Sequence, residues 1–379
     1  MKRICSYYIF FFLISVLVSC KNEPKDIYLI EGKIANLTSR ELYVVTGASD
    51  SLTVDTVFCN KEGEFSYKGK SDTLSSVVIY MEKGKVWVTV WACNNQKITL
   101  SGDAVYPELV IAKGNEVNNL LSEFKEKNRG TIKEKRDLID RRDTLRNTTD
   151  TSTVDVVKSA QYSSIILNLS YTLKDKAEAF VVGHPETLAS LVLFYDYILP
   201  LVEPEDALQY LQNFKGDVSN YFLYKEILSD INDKLDRIKR TCIGSEAPDF
   251  SVVTLNKKDT LNLDSFSDKY LLLSFSASWC DFCSESHKEM VRIRKEIAKD
   301  KLGMLTIALD RDEGAWSRLA KKEKMDWNQA VDTLEWSSSI AHSYNINEIP
   351  ANILIDKNRI IVGRDLPADS LILKLKAEN

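Results

Sequence analysis

The stretch that most constrains this chain covers residues 271–283 and reads LLLSFSASWCDFC. Its apolar part has the length of a buried strand, and residues 284–298 after it place apolar side chains at helical spacing. A strand followed by C-x-x-C and a helix is the context in which this motif indicates a redox pair. The sequence therefore predicts that Cys280 and Cys283 form a reversible disulfide.

The spacing of the two cysteines has a physical reason. Residues three apart in a first helical turn lie close enough for a disulfide, whose Cα atoms need to be about 4.4–6.8 Å apart. The helix N-terminus offers free N–H groups and the positive end of its dipole, which stabilise a nearby thiolate. We therefore expect Cys280 to be the exposed nucleophile and Cys283, one turn further in, to be the resolving thiol.

A zinc site and a structural disulfide both fit the motif less well. A zinc site needs a second pair of ligands, but there is no second C-x-x-C, and His184, His287 and His342 do not pair at ligand spacing. A purely structural disulfide closing so short a loop would add little stability. Neither a metal nor an organic cofactor is expected.

The N-terminal sequence has the pattern of a targeting segment. A positive start is followed by an apolar run, residues 9–18, that is too short to span a bilayer. The run ends in Leu-Val-Ser-Cys20, which resembles the bacterial lipobox, where cleavage leaves the cysteine as a lipid-modified first residue. Residues 1–19 would then be a signal peptide, and Cys20 would hold the protein in the cell envelope, on the periplasmic side or at the outer-membrane surface. An uncleaved anchor or a chance cysteine is the alternative.

Composition excludes one class of partner and leaves one question open. The net charge of -5, without a basic patch, argues against nucleic-acid binding. Three cysteines remain outside the redox pair and the signal region: Cys59, Cys93 and Cys242. A Cys59–Cys93 disulfide and buried free thiols fit an oxidising compartment equally well.

At 379 residues the chain has room for two or three domains. Residues 27–113 are rich in β-branched and aromatic residues and predict a small antiparallel β-sandwich or barrel, with its aromatics mainly in the core. Residues 114–240 predict helices, beginning with a long solvated helix over 115–147; Pro185 and Pro204 suit first helical turns. Residues 241–379 alternate strands with helices, which indicates an α/β layer fold.

The C-terminal segment, from about residue 243 onward, resembles the TlpA/ResA-type thioredoxin-like oxidoreductases. The resemblance rests on four short motifs in the right order, namely Gly244-x-x-Ala247-Pro248-x-Phe250, Ser278-Trp279-Cys280-x-x-Cys283, Leu309-Asp310 with Trp316, and Tyr344-x-Ile-x-x-Ile349-Pro350. It implies a thioredoxin-like fold that exchanges thiols and disulfides with other proteins. An upstream membrane electron donor is also implied, and the lipid anchor would be the only membrane contact.

The resemblance also assigns roles at the site. Pro350 is expected to be a cis-proline opposite the cysteines, although from sequence alone it equally fits an edge or turn proline. Ile349 would offer backbone groups to a substrate strand. Trp279 and Phe282 would form an apolar docking rim, unless Trp279 mainly packs the motif.

The sequence departs from the family pattern at the active site. Asp281 places a carboxylate beside Cys280, which opposes thiolate formation and predicts a reducing pair rather than a strong oxidant. Ser274 stands where thioredoxins bury an Asp, and Ser286 stands where the family has an acid. Proton transfer for the resolving thiol is therefore left to Glu285 or His287, unless both simply face water.

Two departures concern the backbone. Lys288 replaces a helix proline, so the active-site helix is expected to be unkinked. Asn358-Arg359 stands where the last hairpin usually has Gly. Because a left-handed backbone is costly at Arg, we expect a rebuilt turn.

Two further functions compete with the reductase. A peroxiredoxin-type peroxidase would need a Thr three residues before its cysteine, where this chain has Ala277. A binding or assembly lipoprotein would act through its β-domain, with a vestigial or regulatory redox pair. Replacing Cys280 would then leave its phenotype unchanged, and removing residues 27–113 would abolish it.

Overall fold

The computed structural model describes residues 26–47, 52–82, 86–146, 153–280 and 282–377. The signal segment with Cys20, and also Asp281, lie outside these residues. The chain divides into an N-terminal unit, up to Val202 with Asn213–Tyr221, and a C-terminal unit, Glu203–Gln212 with the chain from Phe222 onward. The predicted helical region is thus shared between the two units, and its proposed boundaries stay predictions.

Two four-stranded sheets form the N-terminal part of the described chain, in the orders β4-β1-β7-β8 and β3-β2-β5-β6. Their strands are β1 Tyr28–Ala35, β2 Glu41–Thr46, β3 Thr53–Phe58, β4 Glu64–Gly69, β5 Ser75–Met81, β6 Val86–Ala92, β7 Lys97–Asp103 and β8 Ile111–Lys113. The pairing is antiparallel except between β1 and β7, which run parallel. This confirms the predicted antiparallel β-architecture, with the parallel pair of β1 and β7 as the exception among the described strands.

The alternation of buried and more exposed residues along the strands explains how this unit forms its core. In β1 every second residue is buried, as expected for a strand with one solvated face. Tyr28, Phe65 and Tyr67 lie in the core as predicted, whereas Phe58 and Trp87 are exposed. The turn before β4 needs glycine, because Gly63 has φ 75° and a Cβ there would lie 1.9 Å from the Ile34 carbonyl oxygen.

The helices of the N-terminal unit correct the prediction in two places. They are α1 Glu116–Lys127, α2 Arg129–Arg146, α3 Thr153–Gly183 and α4 Leu188–Leu193, followed by a π-helix at Phe194–Ile198 and a 3-10 turn at Leu199–Leu201. The single helix expected over 115–147 is wrong, because α1 ends at Asn128, whose amide side chain donates to the Phe124 carbonyl. Pro185 precedes α4 instead of opening it, and the Thr187 side chain caps that helix.

The C-terminal unit alternates strands and helices as predicted. Its elements are α5 Pro204–Gln212, α6 Phe222–Arg240, β9 Val252–Val253, β10 Thr260–Leu261, β11 Tyr270–Ser276, α7 Cys283–Glu296, β12 Leu302–Leu309, α8 Glu313–Lys322, β13 Asn328–Asp332, α9 Ser339–Ser343, β14 Ala351–Ile355, β15 Ile361–Arg364 and α10 Ala368–Ala377. Pro204 is the first residue of α5, where its missing N–H costs no helical hydrogen bond.

A five-stranded sheet in the order β13-β12-β11-β14-β15 organises the described residues of this unit. β11 lies at its centre, parallel to β12 and antiparallel to β14. Leu271, Leu273 and Phe275 pack into the core on one face, and Leu272 packs into the core on the other. Because both faces of β11 are covered, its sequence is apolar almost throughout, as is typical of central strands in α/β folds.

The last hairpin overturns the prediction of a rebuilt turn. Arg359 adopts the left-handed conformation, with φ 65°. The Asp356 carboxylate holds the turn by accepting hydrogen bonds from the backbone N–H groups of Asn358 and Ile360. The Arg359 guanidinium also pairs with Asp264. These contacts offset the cost of a left-handed backbone at Arg.

Candidate active site

Cys280 and Cys283 form a disulfide, and their Cα atoms lie 5.4 Å apart. Cys283 is fully buried and is the first residue of α7, whereas Cys280 is partly exposed in the turn before the helix. That turn is closed by a hydrogen bond of 3.1 Å from the Cys283 N–H to the Cys280 carbonyl. Cys280 therefore lies just before the N-terminus of α7, between the strand and the helix as the sequence predicts. Cys280 is more exposed than Cys283, as expected if Cys280 is the nucleophile and Cys283 the resolving thiol.

The peptide bond between Ile349 and Pro350 is cis. The Cys280 sulfur lies 3.8 Å from the Ile349 carbonyl oxygen, so the loop before β14 meets the redox pair directly. Trp279 is partly exposed, and its indole Nε1 donates a 2.9 Å hydrogen bond to the Leu309 carbonyl. Phe282 is more exposed still. The structure thus places Ile349 beside Cys280 and leaves Trp279 and Phe282 exposed, while their role in docking remains a prediction.

A buried carboxylate to which the sequence analysis gave no role holds the turn before Cys280. Asp310, at the end of β12, accepts hydrogen bonds from the Ser278 N–H at 2.7 Å and from its hydroxyl at 2.6 Å. Hydrogen bonds to a carboxylate are stronger than those between neutral groups, so this contact fixes the turn firmly to β12. The sequence pair Leu309-Asp310 carried the signal, because a polar residue directly after a buried strand lies at the edge of the sheet.

The two candidates for proton transfer have very different environments. Glu285 faces solvent and pairs with Lys288 at 2.8 Å. His287 is buried, and its ring makes two hydrogen bonds, with the Ser276 hydroxyl at 2.7 Å and with the Glu323 carboxylate at 2.5 Å. Glu323 also accepts from the Ser284 hydroxyl at 3.2 Å.

These hydrogen bonds indicate the protonation state of His287. With the proton on Nδ1, the ring donates to Glu323, while Nε2 accepts from Ser276, so a neutral imidazole satisfies both contacts. Burial lowers the pKa of His287, and the hydrogen bond to Glu323 opposes that shift without reversing it. Glu323 caps the end of α8 and was missed, because nothing in its local sequence relates it to a helix 36 residues earlier.

Hydroxyl groups stand where thioredoxins bury an Asp. The Ser274 hydroxyl lies 2.7 Å from that of Thr306, which also accepts from the Trp327 indole at 2.8 Å. Ser274 is buried and has no carboxylate for a partner in this network. The buried His287 and the partly exposed Glu323 instead form a hydrogen-bonded ionisable pair at the site.

Among the residues that the structure describes, the three cysteines other than the redox pair are free thiols. Cys59 is buried, Cys93 is partly exposed and Cys242 is exposed, so Cys59 and Cys93 are not paired in this structure. His184 follows α3 and stacks on Phe180, with ring centroids 4.5 Å apart. Nowhere in the described ranges do three His, Cys, Asp or Glu side chains come together as metal ligands. Within the same ranges, every helix is too short or too polar to cross a bilayer.

Comparison with known families finds matches in two separate parts of the chain. Residues 243–374 match the Redoxin family, and residues 28–121 match DUF4369, a domain of unknown function. Thioredoxin-like protein YneN of Bacillus subtilis is 27% identical over 121 residues, which is 31% of this chain and 68% of YneN.

Two solved structures share more sequence. A thiol-disulfide oxidoreductase from Bacteroides fragilis is 36% identical, covering 36% of this chain and 100% of its own, with a TM-score of 0.34. The second is the C-terminal domain of a Bacteroides thetaiotaomicron protein described as a putative thiol-disulfide oxidoreductase. It is 33% identical, the match covers 36% of this chain and 96% of that domain, and the TM-score is 0.35. Because both TM-scores are low, the assignment rests on the match of residues 243–374 to the Redoxin family.

The C-terminal domain is therefore a thioredoxin-like domain of the thiol–disulfide oxidoreductase class. Residues 243–374 match the Redoxin family, and residues 28–121 ahead of them match DUF4369.

Proposed function

We propose that this protein is an exported thiol–disulfide oxidoreductase that reduces disulfides in other proteins through Cys280 and Cys283. One observation carries the proposal. Cys280 is partly exposed and its sulfur lies beside the Ile349 carbonyl, whereas Cys283 is fully buried. An accessible nucleophile with a buried partner suits a two-step exchange, in which only the first thiol meets the substrate.

The exchange begins from the reduced dithiol. The Cys280 thiolate attacks one sulfur of a substrate disulfide, the substrate S–S bond breaks, and the departing sulfur takes up a proton. Cys283 then loses its proton and attacks the Cys280 sulfur, which releases the second substrate thiol. Two electrons and two protons pass to the substrate, and the Cys280–Cys283 disulfide remains. An external dithiol donor, proposed to lie in the membrane, must return the pair to the reduced state.

We assign the proton from Cys283 to the pair of His287 and Glu323. His287 follows Cys283 by four residues on α7, so both side chains lie on one face of the helix. A neutral His287 has a basic Nε2, and its hydrogen bond to Ser276 connects it to the end of β11. Glu285 is less suitable, because it faces solvent and already pairs with Lys288.

Single cysteine variants test the exchange. Cys283→Ser should stop the reaction after the first step and accumulate a mixed disulfide with an oxidised peptide, visible by mass spectrometry and reversed by dithiothreitol. Cys280→Ser should form no adduct, and Cys242→Ser, which alters an exposed cysteine outside the redox pair, should behave as the unaltered protein. A Cys280→Ser protein that still reduces the peptide would overturn the proposal.

The two rival functions have separate tests. A peroxidase is disfavoured because Ala277, three residues before Cys280, is fully buried and has no hydroxyl group. A lipoprotein that works through its β-domain would keep its phenotype in the Cys280→Ser strain and lose it when residues 27–113 are deleted. The reductase should lose its phenotype in the Cys280→Ser strain.

We further propose that Cys20 carries a lipid that holds the protein in the cell envelope. The support is the Leu-Val-Ser-Cys20 sequence after the apolar run. Cells fed radiolabelled palmitate should label the protein, and Cys20→Ser should remove the label. Cys5→Ser, in the same segment, is the matched control. Label retained by Cys20→Ser would contradict the anchor.

A further inference from the structure

The outer strand β3 of the β-domain has an open edge. Among the described strands it pairs only with β2 and ends its sheet on the other side. The Cys59 N–H donates to the Arg40 carbonyl at 2.9 Å, in register with this pairing. Bonded and non-bonded pairs alternate along an antiparallel ladder. We therefore define the free edge as the backbone N–H and C=O groups that point away from β2, those of Val54, Thr56 and Phe58.

The other three sheet edges of the described β-domain are covered or charged. On β6, the Asn118 side chain of α1 accepts from the Trp91 N–H at 3.0 Å and donates to the Trp91 carbonyl at 2.7 Å. On β8, the Ser122 hydroxyl of the same helix makes both contacts with the backbone of Ala112. β4, with the sequence EFSYKG, has exposed charged side chains near both of its ends. Such features keep a further strand from adding to an edge.

β3 lacks these protections. Its sequence, TVDTVF, contains no lysine, proline or glycine, and every residue except Val57 is exposed. Val54 is 63% exposed and Phe58 is 68% exposed. An open edge with β-branched and aromatic side chains readily accepts another strand. The contrast with the other edges indicates that β3 is the edge at which this domain pairs with a further strand.

The free edge is symmetric about Thr56. When two copies of β3 run antiparallel with Thr56 opposite Thr56, Val54 of each copy lies opposite Phe58 of the other. Each outward N–H then meets an outward C=O, as in a regular antiparallel ladder. Asp55 is the only charged residue in β3, and it lies opposite Val57 of the second copy, so like charges do not meet. The backbone and the charges therefore both suit a second copy of the same strand.

The side chains on the outer face suit the same pairing. Val54, Val45 and Val78 lie side by side across β3, β2 and β5. Phe58 has the charged Glu41 as its partner within its own sheet. In the two-fold pairing, Phe58 lies opposite Val54 of the second copy and extends that copy's row of valines. Aromatic and β-branched side chains in opposite positions stabilise a pair of strands.

We propose that two copies of this chain associate through β3, antiparallel and symmetric about Thr56, so that their sheets join into one. The pairing satisfies the outward backbone groups and covers Val54 and Phe58. It involves the β-domain alone and does not depend on the redox function.

Sedimentation velocity over a concentration series tests the proposal on the full chain with Cys20→Ser, so that no lipid on that residue drives association. We expect a monomer–dimer equilibrium. Thr56→Pro removes the central outward N–H and leaves the hydrogen bonds to β2 in place. It should weaken the dimer about thirtyfold, because each copy loses one donor. Thr56→Val, which keeps the N–H and a branched side chain, should leave the equilibrium unchanged.

Cross-linking tests the register, and its result does not depend on whether Thr56→Pro folds. Opposite residues in a bonded antiparallel pair have Cα atoms about 5.5 Å apart, which is within the range of a disulfide. Thr56→Cys should therefore give a disulfide-linked dimer on mild oxidation, with the linked peptide identified by mass spectrometry. Ser66→Cys, at an exposed position of β4, is the matched control and should give no such dimer.

Three results would overturn the proposal. One is an unaltered protein that stays monomeric at every concentration, including one that binds an unrelated extended peptide instead. Another is a Thr56→Pro protein that dimerises as tightly as the unaltered chain while its circular dichroism is unchanged, since the contact then lies elsewhere. The third is a Thr56→Cys protein that cross-links no better than Ser66→Cys.

Discussion

Replacing Glu323 by Ala should destabilise the C-terminal unit, because the carboxylate is the acceptor for a buried imidazole. His287 is 2% exposed, and its Nδ1–H would lose its partner. A buried donor without an acceptor costs about 1–3 kcal/mol. Since the Glu323 side chain is 19% exposed, water can approach part of the vacated space. We therefore expect a loss of about 1–2 kcal/mol in the free energy of unfolding.

Differential scanning calorimetry of the oxidised full chain measures this loss. The transition of the C-terminal unit is identified by its shift when the disulfide is reduced. A loss of about 1–2 kcal/mol corresponds to a fall of about 2–8 °C in the midpoint for a unit of this size. Glu323→Gln, which keeps an oxygen acceptor, should shift the midpoint by less than half as much.

The matched control is Glu285→Ala, which removes a carboxylate that faces solvent on the same helix as His287. Its midpoint should equal that of the unaltered protein. If Glu323→Ala also leaves the midpoint unchanged, the hydrogen bond to His287 contributes no stability, and the reasoning from burial is refuted.

Three further predictions concern the β-domain, a buried tyrosine and the buried histidine. Gly63→Ala should destabilise the N-terminal unit by about 2–3 kcal/mol in urea unfolding, because the new Cβ would collide with the Ile34 carbonyl; an unchanged midpoint would contradict this. Tyr344→Phe should cost about 1 kcal/mol in the same assay, because the buried hydroxyl donates to the Pro248 carbonyl at 2.6 Å; a stabilised variant would contradict it. The pKa of His287 should lie below the ordinary histidine value of 6.5 in a carbon-13 NMR titration of labelled histidine, and stability should fall as pH falls below about 6.5, since the unfolded chain then binds more protons; a titration midpoint above 6.5 would contradict it.

The central strand and the redox motif were predictable because their signals are local. An apolar run, a C-x-x-C and a helical repeat follow one another between residues 271 and 298, and the structure has β11, the disulfide and α7 there. The cis peptide at Pro350 was predictable only through the family resemblance, because proline at that position fits several backbone states.

The parts that were missed depend on contacts between distant residues. Glu323 reaches His287 across 36 residues of sequence, and no local pattern pairs a carboxylate at the end of α8 with a histidine on α7. The break at Asn128 depends on one side chain capping its own helix, which a charged stretch conceals. Arg359 adopts its left-handed backbone because Asp356 holds the turn, an effect that outweighs the residue's own preference.

The reduction potential of the Cys280–Cys283 pair tests the central claim most directly. The full chain would be equilibrated with glutathione and thioredoxin redox buffers, and the fraction of disulfide measured by alkylation and mass spectrometry. The account predicts a two-electron couple at about -250 mV or lower, near the thioredoxin end of the range. A value near about -120 mV would make the protein an oxidant, and the absence of a two-electron couple would contradict the oxidoreductase assignment altogether.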